Sequence, residues 1–535
     1  MMQILWGLLY LFLGYIIFEN VIMMYYRYWW YLKQGYNSTG FPVPIFGNLR
    51  KILKSIKNRN EYSQPIFTQY LTECFNGNVP PMVVDFRSSS GILFISDPEI
   101  VQELYMGKQK YFDKYYRTGY LFKTLFGESL LFEKSTERQA LKRKHLSVAF
   151  YKERMSHILN TIIQMTKERV DQLKVDIKAG KNELNLVDFI NTLTMRSIQV
   201  CVFGISDFEQ DPTYLDNQKE TKIPLGPYLK KLFMVYARRN AHFLRMISRL
   251  FDQTFIGLSE KELQQNCFAF RDYLRHQIKL RKEQIKDPLF QSKDFLTLLV
   301  TDDLFKDDES LIVDECCTFL FAATQTTAST VSNALFYLTQ NTQIRDSLRK
   351  EIASQFKDLL YPSEITVDKW QQKLNYDNLQ NQWTYLMQIV QESLRIEPPV
   401  RISSGLMLTE TQKIQGYIIP KNKPFLIFIN NLHRNPKEWQ EPEKFIPERF
   451  DPESIFYLTP DGKKRNPSSF GPFLGGRRIC LGKTLAENLA KIMIPIIVSE
   501  IDFDFINPEH KFKKPPQDVT TEPKFGMIAK INNKL

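Results

Sequence analysis

The chain has few cysteines, and they are not spaced as metal or redox pairs are. Among 535 residues there are 6 cysteines, with no CxxC pair and no cysteine–histidine cluster at zinc spacing. This argues against a disulfide framework and against a zinc finger. The sequence also has no internal repeat, no low-complexity tract that could link domains, and no glycine fingerprint for a flavin or nicotinamide cofactor.

The composition is that of a folded protein with a large core, with 43% hydrophobic and 24% charged residues. The formal net charge is +12, but no arginine-rich run or zinc module accompanies it, so nucleic-acid binding is not indicated. An anionic membrane surface or an acidic protein partner accounts for the charge equally well.

The beginning of the chain lacks charge. No charged side chain occurs in Met1–Phe18, and the apolar run resumes after Glu19, which gives a segment long enough to cross a bilayer. Because a basic leading segment and a cleavage site are missing, we interpret residues 1–26 as a retained signal-anchor. The basic residues from Arg27 onward then place the rest of the chain in the cytosol. The alternative is a helix of the core that is interrupted at Glu19.

The remainder is predicted to be one large domain behind a linker. Residues 27–50 are basic and proline-rich, and Pro42 and Pro44 stiffen them. Residues 51–535 are predicted to be mainly α with small β-sheets (α+β). The helical pattern is strongest over residues 155–173 and 308–338, and the strand-like segments are residues 81–86, 91–96, 413–420 and 424–430.

Two segments carry open interpretations. The aromatic and basic stretch Phe233–Phe251 either touches a membrane beside a substrate entrance or packs inward as an amphipathic helix. Pro495 is predicted to kink or shorten the helix that follows the cysteine loop described next.

The stretch FLGGRRICLG, Phe473–Gly482, places one cysteine among three glycines and two arginines. A helical pattern follows Cys480, so exposed amides and the helix dipole favour a thiolate there. The glycines let a flat group approach the backbone, and Arg478 is placed to pair with a carboxylate on that group. A thiolate ligand of haem iron needs these features. The simpler alternative is that Cys480 is a small buried hydrophobe in a turn.

This loop resembles the cysteine signature of the cytochrome P450 family, FxxGxRxCxG. The five matching residues are Phe473, Gly476, Arg478, Cys480 and Gly482. The resemblance implies the cytochrome P450 fold and haem b (iron protoporphyrin IX) as cofactor, with Cys480 as the iron ligand. It implies that the other four matching residues contact the cofactor.

Two further motifs of the family follow in the expected order. Glu392 and Arg395 match its ExxR motif, and Arg449 of the segment FIPERF matches the arginine that completes a buried triad. The resemblance implies that this triad holds the cysteine loop rigid.

The small and polar residues Ala322–Thr330 resemble the oxygen-activation helix of the family, AGxxT with an acid before the threonine. The resemblance implies that Thr326 hydrogen-bonds dioxygen and assists proton delivery, so Cys480, Thr326 and Gln325 are the expected catalytic residues. Ala323 replaces the usual glycine and Gln325 the usual acid, and glutamine cannot ionise. Proton supply is then expected to use water or another residue. Helix packing alone is the competing explanation for the small residues.

The propionate-binding residues of the family are only partly matched. Arg143 matches the arginine of the WxxxR helix, but Gln139 replaces its tryptophan, and a surface basic run is the competing interpretation. The family often places another basic ligand soon after the ExxR prolines, where this chain has residues 402–406, ISSGL. Arg401 is the candidate substitute.

The resemblance implies a monooxygenase that inserts one oxygen atom from O2 into a lipophilic substrate, by hydroxylation or epoxidation. Its implied electron donor is NADPH-cytochrome P450 reductase, with cytochrome b5 as a second candidate, docking near Arg477 and Lys483. The implied location is the endoplasmic reticulum membrane, with one N-terminal anchor and a cytosolic catalytic domain. Three alternatives stay open: a peroxide-driven or isomerising haem-thiolate enzyme, a non-catalytic haem-binding protein, and a structural membrane protein.

Overall fold

The structure is a computed structural model. It describes residues 2–58, 66–86, 89–204, 211–240, 242, 244–245, 251–512 and 526–534. The α-helices in chain order are α1 Met2–Ile17, α2 Met23–Lys33, α3 Leu49–Lys57, α4 Ile66–Cys74, α5 Pro98–Met106, α6 Tyr116–Phe126, α7 Glu137–Ser147, α8 Lys152–Lys178, α9 Leu186–Phe203, α10 Leu225–Asn240, α11 Gly257–Gln284, α12 Phe295–Thr301, α13 Glu309–Gln340, α14 Thr342–Gln355, α15 Val367–Lys373, α16 Tyr376–Asn381, α17 Thr384–Ile396, α18 Ile429–Leu432 and α19 Lys483–Glu500.

The strands are short and few, so the architecture is mainly α with small sheets, as predicted. They are β1 Asn37–Ser38, β2 Met82–Asp85, β3 Ile92–Ile95, β4 Phe112–Lys114, β5 Glu183–Asn185, β6 Thr213–Asp216, β7 Lys219–Lys222, β8 Leu406–Leu408, β9 Gln412–Ile414, β10 Tyr417–Ile419, β11 Phe425–Ile427, β12 Ile501–Phe505 and β13 Gly526–Ile531. The largest sheet has the order β1-β2-β3-β11-β8-β4 and joins strands from both ends of the chain. The predicted strand at residues 413–420 is instead a hairpin, because Gln415 and Gly416 adopt left-handed turn conformations.

The main core is built around α13, which packs against α9, α17 and α19. Its second half presents buried aliphatic and aromatic residues such as Val331, Leu335 and Phe336 to these neighbours. Helix α13 begins where the side chain of Asp308 accepts the backbone N–H of Leu311 at 3.0 Å, an N-cap that the sequence provides in DES.

Helix α19 runs from the cysteine loop through the core and packs against α8 and α13. Pro495 lies inside it, and the helix continues to Glu500, so the predicted shortening is wrong. Almost every residue from Leu489 to Glu500 is buried. Packing on all sides therefore offsets the backbone hydrogen bond that a proline cannot donate.

The N-terminal apolar segment is helical and mostly exposed. Residues Trp6–Lys33 are long and apolar enough to cross a membrane, which is compatible with a membrane anchor. Helix α9 is also long and apolar enough, but it is largely buried in the core. A π-helical turn, Phe18–Ile22, joins α1 to α2 without a break.

Helix α2 packs on the body of the protein. Met24 and Tyr31 are each 1% exposed and share a core cluster with residues of the large sheet. Arg27 pairs with Glu19 at 3.0 Å and donates to the carbonyl of Ser89 at 3.0 Å. The sequence predicts a linker over residues 27–50, and part of that range is thus helix packed against the large sheet.

The aromatic and basic stretch at residues 233–251 begins inside α10. Residues 241, 243 and 246–250 lie outside the described residues. Within α10, Leu232 and Tyr236 are buried in the main core. The described part of this stretch therefore has an inward-facing side.

Candidate active site

The cysteine loop, residues 473–482, leads directly into α19. This helix begins at Lys483, so Cys480 lies just before its N-terminus, as the sequence predicts. The backbone N–H of Cys480 donates to the carbonyl of Phe473 at 2.9 Å, which closes the loop. Of the six cysteines, Cys480 is exposed, Cys74 is half-buried and the others are buried.

Two glycines give the loop its shape. Gly476 has φ of +60°, a left-handed conformation that favours glycine. At Gly475 an added Cβ would come within 2.6 Å of the Tyr105 ring, so this glycine lets the loop lie against α5. A larger residue at either position would displace the segment that carries Cys480.

The sulfur of Cys480 experiences opposing effects. Solvent reaches part of the residue, but the surrounding protein desolvates the sulfur and raises the pKa of the thiol above its ordinary value. A hydrogen bond from the backbone N–H of Gly482 lowers the pKa, as do the positive charges of Arg143 and Lys114. The net shift is upward, opposite to the shift predicted from the helix dipole. A bound metal ion would deprotonate the thiol directly.

Helix α7 contacts the loop through Arg143. Its Nη2 donates to the carbonyl of Ile479, the residue before the cysteine, at 2.7 Å. One turn earlier Gln139 is 5% exposed, and in the described part of the chain its Nε2 has no hydrogen-bond partner. Gln139, at the position of the tryptophan in the WxxxR motif, is thus a buried amide whose Nε2 is available to donate a hydrogen bond.

Arg478 is buried, and its Nη2 donates to Asp113 Oδ1 at 3.1 Å and to the carbonyl of Glu133. Asp113 also accepts from the backbone N–H of Ser135 at 3.0 Å. The Nε of Arg478 is buried without a partner among the described residues. The sequence predicts a carboxylate partner for Arg478 on a cofactor and misses Asp113.

Lys114 is a second residue that sequence reasoning misses. It ends β4, is buried, and donates from Nζ to Ser404 Oγ at 2.8 Å. Burial and the nearby charge of Arg478 lower the pKa of Lys114 to about 8, while the charge of Cys480 acts in the opposite direction. The sequence contains one signal that could have identified Lys114. It lies with Asp113 inside the aromatic run YFDKYY, and such a run is unusual for a surface loop.

The small residues of α13 lie near the middle of this helix. Ala322 is exposed in the middle of the helix, and Gln325 and Thr326 are half-buried. Thr326 Oγ1 donates to the carbonyl of Ala322 at 2.7 Å, one turn earlier. Ala323 packs against the core cluster that also receives Phe473. The Thr326 hydroxyl is therefore hydrogen-bonded within its own helix, as that of a threonine in a helix interior often is.

The residues of the predicted triad are together and completely buried. Glu392 accepts from Arg395 Nε at 2.7 Å and from Arg395 Nη2 at 2.8 Å. Arg449 Nε donates to Glu392 Oε1 at 3.2 Å. All three side chains are 0% exposed. One carboxylate thus pairs with two guanidinium groups inside the protein.

The triad also holds the meander that leads to the cysteine. Arg395 donates to the carbonyls of His433 at 2.9 Å, Pro442 at 2.8 Å and Lys444 at 3.0 Å. Arg449 donates to the carbonyl of Glu441 at 2.6 Å. These backbone oxygens have few partners in an irregular segment, so the arginines satisfy them and fix its course.

A comparison with models of protein families shows to which family the chain belongs. The family model described as cytochrome P450 matches residues 38–529.

The chain belongs to the cytochrome P450 family.

Curated relatives cover most of the sequence at low identity. Human cytochrome P450 4F12 is 25% identical over 411 residues, which is 73% of this chain and 72% of the relative. Mouse leukotriene-B4 omega-hydroxylase 3 is 25% identical over 393 residues, 70% of this chain and 68% of the relative. Rat cytochrome P450 4F5 is 27% identical over 388 residues, 68% of this chain and 67% of the relative.

As a cytochrome P450, the protein is a haem-thiolate monooxygenase, and its cofactor is haem b. It receives electrons from a redox partner and acts on lipophilic substrates. The residues present fit this group. An exposed thiol lies near two cationic side chains, those of Arg143 and Lys114, and two buried donors, Arg478 Nε and Gln139 Nε2, have no partner among the described residues.

Arg401 is committed to the core. Its Nη1 donates to Asn430 Oδ1 at 2.8 Å and its Nη2 pairs with Glu397. The residue is 4% exposed, and burial lowers the pKa of its guanidinium to about 10. The hypothesis that Arg401 substitutes for a propionate ligand is not supported by these contacts.

Phenylalanine rings form an apolar surface next to Ala322. The ring centroid of Phe321 lies 5.1 Å from that of Phe126 on α6 and 5.1 Å from that of Phe233 on α10. Phe122 stacks on Phe132 at 5.3 Å. Phe126 is buried and the other four rings are half-buried. Three helices therefore contribute aromatic contacts at this point of α13.

Proposed function

We propose that Cys480 would hold the haem iron of this monooxygenase through its thiolate sulfur. The observation that carries the proposal is its place just before α19, exposed, with the N–H of Gly482 hydrogen-bonded to its sulfur. That hydrogen bond and the nearby cations stabilise negative charge on the sulfur. When bound, the haem supplies the chemistry that inserts one oxygen atom of O2 into a C–H or C=C bond.

Arg143 and Arg478 are proposed to bind the carboxylates of the cofactor. Arg143 contacts the cysteine loop through the carbonyl of Ile479, and Arg478 is itself part of this loop. Phe473, Gly476 and Gly482 keep the loop close to the macrocycle. The triad of Glu392, Arg395 and Arg449 keeps the preceding meander in place.

Thr326 and Gln325 are proposed to serve proton delivery above the cofactor. Thr326 is a donor that could exchange its bond to the Ala322 carbonyl for one to a water molecule or to another acceptor beside the cofactor. Gln325 donates and accepts but does not ionise, so the proton would reach Thr326 from water or from another residue.

The proposed setting is the endoplasmic reticulum membrane, with residues 1–26 as anchor, residues 27–50 as linker and residues 51–535 as the cytosolic catalytic domain. The proposed electron donor is NADPH-cytochrome P450 reductase, with cytochrome b5 as an auxiliary. Lys483 is half exposed at the start of α19 and suits an acidic partner, whereas Arg477 donates from Nε to the carbonyl of Phe112 at 2.7 Å.

For the substrate we propose a long lipophilic compound. The phenylalanine rings beside Ala322 favour an apolar chain or ring over a polar group. The chain is similar to a mouse protein named leukotriene-B4 omega-hydroxylase 3, so hydroxylation at the end of a fatty chain is the first reaction to assay.

A carbon monoxide difference spectrum of the reduced full-length protein tests the thiolate assignment. Wild type should give the thiolate-type Soret band, and Cys480→His should lose it while still binding haem. An unchanged spectrum in the variant would show that another residue ligates the iron. Turnover with NADPH and reductase, compared with peroxide alone, then separates the monooxygenase from a peroxide-driven or isomerising enzyme.

A further inference from the structure

A small cavity lies between α8 and α9, outside the candidate active site. Its volume is about 90 Å³, and its walls come from two helices that carry none of the residues proposed for haem binding or proton delivery. The lining residues are Met165 and Arg169 of α8, and Thr192, Leu193 and Arg196 of α9. Two of the five are arginines, so the cavity is rich in positive charge for its size.

Helical spacing explains this lining. Met165 and Arg169 are four residues apart on α8, as are Thr192 and Arg196 on α9, so each pair occupies one face of its helix. Met165 and Leu193 are 9% and 2% exposed and form an apolar floor. The two arginines are half-buried and Thr192 is exposed, so polar groups form the rim that solvent reaches. A charged ligand can therefore enter from outside and bind beside apolar walls.

The guanidinium group of Arg169 is held in place without being neutralised. Its Cζ lies 4.8 Å from the centroid of the Phe189 ring, which makes a cation–π contact between α8 and α9. In the part of the chain that the structure describes, its Nε is buried without a hydrogen-bond partner and its guanidinium makes no ion pair. A buried donor without an acceptor is unfavourable, so a bound anion would stabilise this arrangement.

The charge of the cavity selects among anions. The side chains of Arg169 and Arg196 bring a formal charge of about +2, because a guanidinium stays protonated in proteins. None of the described lining residues carries a carboxylate. A carboxylate ligand has one negative charge, whereas a phosphate group carries about −1.5 to −2 near neutral pH. The planar, paired N–H donors of arginine also match the oxygens of phosphate.

We propose that this cavity binds the phosphate group of a small soluble compound. Arg169 and Arg196 are the main donors, and the Thr192 hydroxyl, which donates to the carbonyl of Asp188 at 2.9 Å, is an additional donor at the rim. Inorganic phosphate and a phosphate monoester present the same oxyanion, so both are candidate ligands. Because no lining residue belongs to the haem site, this function is independent of the role proposed for Cys480.

The position of the cavity gives the bound anion a structural effect. Helix α8 packs against α19, which follows the cysteine loop, and α9 packs against α13, which carries Thr326. An anion that bridges Arg169 and Arg196 would join α8 to α9. It would therefore stabilise the two helices on which both helices of the candidate active site pack.

The competing explanation is that the two arginines only cover apolar surface and are hydrated by water. Arg169→Met and Arg196→Met each remove one guanidinium and keep an apolar stem, and Thr192→Val removes the hydroxyl and keeps the shape. The matched control is Arg154→Met. It removes the same charge from α8 outside the cavity, where Arg154 donates to the carbonyl of Lys293 at 3.1 Å.

The measurement is isothermal titration calorimetry of the full-length holoenzyme in dodecyl maltoside, which contains no phosphate, at constant ionic strength. The titrants are inorganic phosphate, adenosine monophosphate and acetate. Wild type should bind a phosphate compound at one site per chain, and Arg169→Met and Arg196→Met should bind it on the order of 10-fold more weakly. Thr192→Val should lose less, and Arg154→Met should match wild type.

The two phosphate compounds distinguish the sources of the ligand. Tighter binding of inorganic phosphate identifies the free ion, and tighter binding of adenosine monophosphate identifies a phosphate monoester, and either result supports the proposed site. Acetate should bind on the order of 10-fold more weakly than phosphate, because it carries a single charge and loses one charge-assisted hydrogen bond.

Three results would overturn the phosphate site. They are a wild type without saturable binding of either phosphate compound, equal weakening in Arg154→Met and Arg169→Met, and equal affinity for acetate and phosphate. The carbon monoxide spectrum of each variant should match that of wild type, which shows that the fold is intact. If an arginine variant yields no holoenzyme, Met165→Phe takes its place. It fills the cavity and leaves both charges, so it should abolish binding, and normal binding would contradict the assignment.

Discussion

His433 connects Arg395 to Gly471, two residues before the cysteine loop, through both nitrogens of its ring. The N–H of Gly471 donates to Nε2 at 3.0 Å, so the ring proton is on Nδ1, which donates to the carbonyl of Arg395 at 3.1 Å. The ring is fully buried, and burial together with the charge of Arg395 lowers the pKa of His433 to about 3. One neutral imidazole therefore connects α17, which carries Glu392 and Arg395, to the segment just before the cysteine loop.

Acid should destabilise the protein through His433. In the unfolded chain a histidine titrates near its ordinary pKa of 6.5, whereas in the folded protein this one stays neutral down to about pH 3. Its contribution to stability is thus complete above pH 6.5 and is lost as the pH falls toward 3, by up to about 1.4 kcal/mol per pH unit. His433→Asn keeps a donor and does not titrate. Its thermal midpoint between pH 7 and pH 5 should fall less steeply than that of wild type, and parallel slopes would contradict the explanation.

Removing Glu392 should prevent stable haem binding. Glu392→Ala leaves Arg395 and Arg449 as uncompensated buried charges, which costs about 3–5 kcal/mol. The expected result is a large loss of holoenzyme at normal expression temperature, measured as haem absorbance per protein. Lys444→Met breaks the exposed pair with Glu441 and should change stability by less than about 1 kcal/mol. A Glu392→Ala variant with normal haem content would show that the triad does not hold the site.

Thr326 should control coupling, which is the fraction of the consumed NADPH that is recovered as product. Losing one hydrogen bond of about 1.4 kcal/mol in the rate-determining proton transfer corresponds to about tenfold. Thr326→Ala should therefore recover roughly tenfold less of the consumed NADPH as product and release more peroxide. The matched control is Thr324→Ala, which also removes a hydroxyl bonded to its own helix, at the carbonyl of Leu320. Gln325→Glu should raise coupling, because it restores an ionisable group. Equal coupling in all four proteins would exclude a role for this pair.

The exposed apolar face of α1 should hold the protein in the membrane. Leu8 and Leu11 are 60% and 73% exposed, and a lysine at the centre of a membrane helix costs about 3 kcal/mol. Leu8→Lys combined with Leu11→Lys should move a large fraction of the protein into the supernatant of an alkaline carbonate extraction. Leu289→Lys with Leu360→Lys changes two exposed leucines of the body and should stay in the pellet. Retention of both variants would mean that another surface provides the attachment.

Much of the fold follows from patterns within a few turns of chain. The helices α8 and α13 are long and periodic, and the strands β2, β3 and β11 are short apolar runs between turn residues, so each was predictable locally. The hairpin β9–β10 was missed because its turn occupies two residues, Gln415 and Gly416, inside a run that looks continuous. The shortening predicted at Pro495 was wrong because local propensity cannot include the burial that stabilises α19 on every side.

The candidate site likewise contains residues that the sequence predicts and residues that it does not. Cys480 and the triad could be placed because spaced motifs identify them in the sequence. Asp113 and Lys114 could not, since β4 has three residues and its partner β8 begins nearly 300 residues later. Contacts between such short, distant strands depend on the whole fold.

The packing of α2 has a mechanical consequence. The helix from Met2 to Lys33 has no flexible joint, and its second half is wedged against the large sheet by Met24 and Tyr31. If α1 is the membrane anchor, as proposed, a tilt of α1 would be transmitted to the body of the protein through α2. The orientation of the catalytic domain relative to the bilayer would then depend on the thickness of the surrounding lipid.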